Sequence, residues 1–158
     1  MEPRIAYPQV APGAYAAMRG LEDYVRESGL EPQLLELVRT RVSQINRCAY
    51  CLDMHTKDAL IGGEDAQRLF ALSAWQETPF YTERERAALV YAEAVTRIEG
   101  GVDDELYARL GAHFSERQIV DLTLAIVAIN GWNRLAVSMR TVPGSYQPAR
   151  SEATTGER

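Results

Sequence analysis

Apolar residues along this chain recur every three or four positions rather than every two, and glycines and prolines interrupt the pattern at intervals. The sequence therefore reads as all-α, with seven helices and no convincing strand. The first covers about residues 13–28, with Ala14, Met18, Leu21 and Val25 as its apolar stripe and Gly29 just past its end. Pro32 opens the second, which carries Leu34, Leu35, Val38, Val42 and Ile45 up to a tight break at Asn46-Arg47. The third starts at about Cys48 and stops at Gly62-Gly63, and the fourth covers about residues 64–75 with Leu69, Phe70 and Leu72. A loop through Thr78-Pro79 follows. The capping box from Thr82 to Glu85 opens the fifth helix, which ends at Gly100-Gly101, and a short sixth covers about residues 103–112. A second capping box, Ser115 to Gln118, opens the longest helix, running to about Met139. It is apolar on most sides, so it is expected at the centre of the bundle or in an interface.

With 158 residues the chain has length for one domain, expected over residues 1–143. Residues 144–158 are polar and are expected to form a flexible tail. The net charge of −5 provides no basic field to gather a nucleic acid or an anionic membrane, so neither is an expected partner. The most apolar stretch, 122–137, is cut by Thr123, Asn130, Asn133 and Arg134, and its longest apolar run, 124–129, falls far short of a membrane span. The first residues lack the pattern of a secretory signal, and two cysteines are too few for a secreted disulfide scaffold. A cytoplasmic location is expected.

Those two cysteines carry the chemical signal. In the run from Cys48 to His55, Cys48, Cys51 and His55 are spaced three and four apart, so a helix places them on one face. A thiol near a helix N-terminus and beside an imidazole has its thiolate favoured, and the thiolate is the reactive form. The pair can also close to a disulfide. Proximity to the imidazole favours Cys51 as nucleophile, whereas proximity to the helix start favours Cys48. If helices two and three fold back about Asn46-Arg47, Glu36 lies ~16 Å down one arm and His55 ~12 Å down the other, close enough for their side chains to meet. As one straight rod, Glu36 and Cys48 would be ~18 Å apart. The blander readings are a pair of small buried cysteines and a solvated glutamate. A structural zinc site lacks ligands, since His113 is the only other imidazole, and no metal is expected. His113, Trp75, Trp132 and Tyr91 read as structural, and Asn130 with Arg134 as a structural or interface network.

Glu36, eleven residues, then Cys48-x-x-Cys51-x-x-x-His55 on an all-helical background resembles the signature of the AhpD-like alkylhydroperoxidases of the carboxymuconolactone decarboxylase superfamily. The likeness spans roughly residues 15–140, including Asn130-Gly131-Trp132-Asn133-Arg134 in the last helix. It implies a thiol peroxidase reducing organic hydroperoxides, with Cys51 attacking peroxide, Cys48 resolving the product, and His55 with Glu36 relaying the proton. It further implies no bound cofactor, an external lipoyl-type or protein dithiol as reductant, and a trimer or hexamer of identical chains. Tyr50 stands where well-studied members have a histidine before the second cysteine. Members that decarboxylate a lactone lack the cysteine pair, so that activity is not implied. The alternatives are a general thiol-disulfide oxidoreductase and a redox-sensing helical oligomer without peroxide turnover.

Overall fold

The computed structural model describes residues 2–148. Eight α-helices and one 3₁₀ helix form among them, and no strand: α1 (Tyr7–Val10), α2 (Pro12–Glu27), α3 (Pro32–Ile45), α4 (Ala49–Ile61), α5 (Ala66–Ala71), the 3₁₀ helix (Leu72–Glu77), α6 (Glu83–Arg97), α7 (Asp104–Gly111) and α8 (Glu116–Met139). Local chemistry sets the ends of most of these helices. Prolines occupy the first turns of α2 and α3, where the missing N–H costs nothing. Full capping boxes start α6 at Thr82 and α8 at Ser115, each side chain accepting from the third helical N–H.

The differences from expectation have local causes. The four-residue α1 has no buried residue and so leaves no periodic trace. The helix expected over 64–75 is divided into α5 and the 3₁₀ helix, with Ala74 out of helical geometry at φ −119° inside the latter, and Phe70, expected on its apolar stripe, is exposed. The fifth helix stops before Gly100-Gly101, at Arg97, because Ile98 takes a left-handed conformation. Of the stripe on α2 only Val25 is buried; Ala14 is exposed.

The long helix is the spine. In α8, Ile119, Leu122, Ile126, Ile129, Asn133 and Ala136 are buried, a three-four spacing that lays one face along the core. It packs against α2, α3 and α6. By length and composition α8 is apolar enough to cross a membrane, but here that face is filled by the other helices. The main cluster joins it to Val38 and Val42 of α3, Ala88 and Ala92 of α6, and both cysteines. A second cluster gathers Leu37, Leu69, Leu72, Trp75 and Leu89 on the other side of α3. At roughly 1.5–3 kcal/mol for each large side chain fully buried, these contacts hold α3 between two apolar layers. Past α8, within the tail expected from residue 144 onward, Gly144 and Tyr146 are hydrogen-bonded to α4. The rest of that expected tail, 149–158, lies outside the described residues.

Candidate active site

The break at Asn46-Arg47 is a helix-ending motif shared by two helices. Arg47 is left-handed at φ 54°. Its N–H bonds the Gln44 carbonyl at 3.2 Å, and the Cys48 N–H bonds the Ser43 carbonyl at 3.0 Å, the paired bonds of a Schellman cap. Cys48 is thus the last residue of the cap on α3 and, at the same time, the N-cap of α4, where its Sγ accepts from the Cys51 N–H at 3.3 Å. A sulfur in that place feels the positive end of the α4 dipole. Asn46 locks the joint by donating to Asn130 at 2.9 Å and Asn133 at 2.8 Å on α8. Asn130 reaches Thr96, and Asn133 reaches Ser43, which identifies the polar network expected of the apolar helix as a brace for this turn. Arg134 caps it from the exposed side, donating to Asn130.

Because the turn folds α3 and α4 together, the four residues singled out from the sequence meet in two pairs. Cys48 and Cys51 are joined as a disulfide, Cα atoms 5.3 Å apart, and both are buried. His55 Nδ1 lies 2.8 Å from Glu36 Oε2, and the ring is 6% exposed. A carboxylate on Nδ1 fixes the tautomer in which Nδ1 carries the hydrogen and Nε2 has a free lone pair. Nε2 is buried and has no hydrogen-bond partner among the described residues. His55 is one helical turn beyond Cys51 and lies on the same face of α4.

Sequence reasoning missed the residues that hold this pair. Arg39 donates to Glu36 Oε1 at 2.7 Å and, through its other terminal nitrogen, to Glu22 of α2. Glu22 in turn accepts from the Trp132 indole on α8 at 3.2 Å. Burial pushes the Glu36 carboxyl up, but its bonds and charge pairing with His55 and Arg39 outweigh that and hold it below the ordinary carboxylate range. Asp58, one turn beyond His55, is also close: ligand-type atoms of Glu36, His55 and Asp58 lie within 4.8 Å of one another. Such a trio could hold a cation. Here its acids are already bonded, Glu36 to His55 and Arg39, and Asp58 to the Tyr146 hydroxyl at 2.7 Å. The i, i+3 spacing of Arg39 from Glu36 and of Asp58 from His55 was the available signal.

The remaining aromatic residues have structural partners. The Trp75 indole donates to buried Glu93, and the Tyr91 hydroxyl pairs with Thr123. Tyr50 is half-buried against the main cluster; burial, then the nearby Tyr15 and Asp53, raise its phenol, so it stays neutral and is no base. His113 lies just after α7, and its carbonyl accepts a hydrogen bond from Arg84.

Residues 12–94 match the model of the carboxymuconolactone decarboxylase family, a span that contains Glu36, Cys48, Cys51 and His55. This chain belongs to the carboxymuconolactone decarboxylase family. Within that family it is AhpD-like. The uncharacterised Bacillus subtilis protein YdfG is 44% identical over 140 residues, which is 88% of this chain and 95% of YdfG. A solved structure from Agrobacterium tumefaciens, described as of unknown function and assigned to antioxidant defence as an AhpD protein, is 44% identical. It superposes with a TM-score of 0.89, over 92% of this chain and 100% of that one. A peroxidase-related protein of a Silicibacter species, 26% identical, superposes with a TM-score of 0.74, over 82% of this chain and 70% of that one. These carboxymuconolactone decarboxylase family relatives point to a peroxidase-related, antioxidant type of function.

Proposed function

We propose that the chain is a thiol-dependent peroxidase that reduces organic hydroperoxides through a Cys48/Cys51 dithiol-disulfide cycle, with His55 and Glu36 as proton relay. The observation that carries this reading is the 2.8 Å bond from Glu36 to His55 Nδ1, which leaves a buried basic nitrogen one turn from Cys51. In the reduced protein, Cys51 passes its proton to Nε2 and Glu36 balances the imidazolium. The thiolate attacks the distal peroxide oxygen, the O–O bond breaks, and the departing alkoxide takes the proton back from His55. Cys51 is then a sulfenic acid. Cys48, favoured as thiolate by its N-cap position, attacks that sulfur, and hydroxide leaves as water with the Cys48 proton. An external dithiol, lipoyl-type or on a protein, reduces the disulfide and is itself oxidised to one.

No bound cofactor enters this cycle. A cytoplasmic location follows from the need for a reducing environment. Assembly as a trimer or hexamer of identical chains is part of this reading, and the half-exposed Val120, Val127 and Val137 of α8 offer apolar surface for such contacts.

The test is the initial rate of organic hydroperoxide consumption with dihydrolipoamide as reductant, with Cys51→Ser as matched control. Turnover that disappears in the variant supports both the activity and the nucleophile. Wild-type protein no faster than the variant refutes the peroxidase reading. The alternative, thiol-disulfide exchange without peroxide turnover, rests on the closed Cys48–Cys51 disulfide, which is the species such an exchange acts on. It predicts disulfide exchange with the dithiol but no peroxide-dependent loss of both thiols.

A further inference from the structure

The segment after α8 folds back onto α4 and ends on the relay. Gly144 donates its N–H to Asp53 Oδ2 at 3.0 Å, and Lys57 holds Asp53 at 2.8 Å while donating to the Tyr146 carbonyl at 3.0 Å. These contacts are anchored on residues that face away from the cysteines. The Tyr146 hydroxyl does something different: it passes beyond them and donates to Asp58 Oδ1 at 2.7 Å, within the group formed by Glu36, His55 and Asp58. A segment needing only an anchor has it already in Asp53 and Lys57. The phenol is spent on Asp58, which makes no direct ion pair among the described residues, whereas Glu36 is paired with Arg39.

We propose that Asp58, oriented by the hydrogen bond from the Tyr146 hydroxyl and standing beside the His55 ring, is a positioning residue for His55 in its transfer of the Cys51 proton. The proposal rests on the relay described above. The charged and titratable groups around Asp58 are Glu36 and Arg39 from α3, His55 and Lys57 from α4, and Tyr146 from the returning segment. Arg39 is in direct contact with Glu36 and Glu22, and its charge reaches Asp58 only at longer range. A negative charge within about 5 Å favours imidazolium over imidazole, and Asp58 is nearly two turns from Cys51, so it stabilises the cation more than it opposes the thiolate. Burial raises the Asp58 carboxyl, the Tyr146 hydrogen bond opposes that rise, and the charge of Glu36 adds to it. The hydroxyl is the largest of the influences that oppose this rise, ahead of the charges of His55 and Arg39.

The test titrates the Cys51 thiolate of the reduced protein, in a Cys48→Ser background, by absorbance near 240 nm and by the pH dependence of alkylation with iodoacetamide. Tyr146→Phe and Asp58→Asn are each expected to move the titration upward by about one pH unit, so that alkylation near neutral pH slows about tenfold. Asp58→Glu is expected to restore most of the loss. Asp53→Asn, which loosens the same segment without touching the relay, is expected to titrate like the parent. The proposal is overturned if Tyr146→Phe and Asp58→Asn fold normally and titrate unchanged, or if Asp53→Asn shifts as far as they do, in which case docking of the segment is all that matters. No peroxide is used, so a chain that proves unable to turn over hydroperoxide loses the peroxidase reading while this titration still decides the role of Asp58.

Discussion

Replacing Glu36 by Gln is the sharpest probe of the relay because it removes a charge and leaves the shape. In the proposed cycle the imidazolium of His55 is stabilised by a carboxylate 2.8 Å from Nδ1, in a site where the Glu36 side chain is 14% exposed. A hydrogen bond to a charged group contributes about 1.5–3 kcal/mol and a neutral one about 0.5–1.5, so the substitution forfeits about 1–1.5 kcal/mol of imidazolium stabilisation. With about 1.4 kcal/mol per factor of ten, kcat/KM for hydroperoxide should fall about tenfold and the Cys51 thiolate titration should rise by about one unit. That is a lower bound. The Gln amide can donate to Nδ1, which favours the tautomer whose Nε2 already carries a hydrogen and cannot accept the thiol proton. Folding should suffer little, since Arg39 keeps its pairing with Glu22. The assay is peroxide consumption against substrate concentration, paired with thiolate absorbance of the reduced protein. A folded variant within about threefold of wild type in both measurements would falsify the claim that proton transfer runs through Glu36.

Two further outcomes concern stability. Arg47 holds a left-handed conformation while exposed, so Arg47→Gly should stabilise the protein by about 1 kcal/mol, read as a higher urea midpoint; a lower midpoint refutes the strain argument. Glu36 and Glu93 are both held below the ordinary carboxylate range: burial pushes each up, but His55 and Arg39 at one, and the Trp75 N–H with Arg41 and Arg97 at the other, outweigh it. The unfolded chain therefore binds more protons at these two sites, so this stabilisation is present above about pH 4.3 and is lost as pH falls through the lower folded values; Asp58, raised by burial, contributes in the opposite direction. Urea unfolding at a series of acidic pH values checks this, and a midpoint that climbs on acidification contradicts it.

The site was legible where its geometry is local. Cys48, Cys51 and His55 share a helix face by spacing alone, and the break that brings Glu36 to them shows as Asn46-Arg47 although no glycine supplies the left-handed residue. Capping boxes at Thr82 and Ser115 fixed two helix starts to the residue. What could not be read depends on contacts distant in sequence. Tyr146 bonds Asp58 across 88 residues and Trp132 bonds Glu22 across 110, and a polar chain end or a helical glutamate looks the same whether it meets such a partner or water. The kink at Ala74 lies in a segment tied to α6 by the Trp75 indole bond to Glu93, a partner 18 residues on.

The Schellman joint also fixes the angular phase between two helices. Each residue turns an α-helix by about 100°, so one residue inserted or removed between Ser43 and Ala49 would swing His55 about a quarter turn off Glu36 while leaving the hydrophobic content of both helices unchanged. Substitutions elsewhere in α3 and α4 change composition, but a length change here dismantles the chemistry at once. Variation in this chain's lineage should therefore be rich in exchanges on these two helices and intolerant of insertions in the turn that joins them.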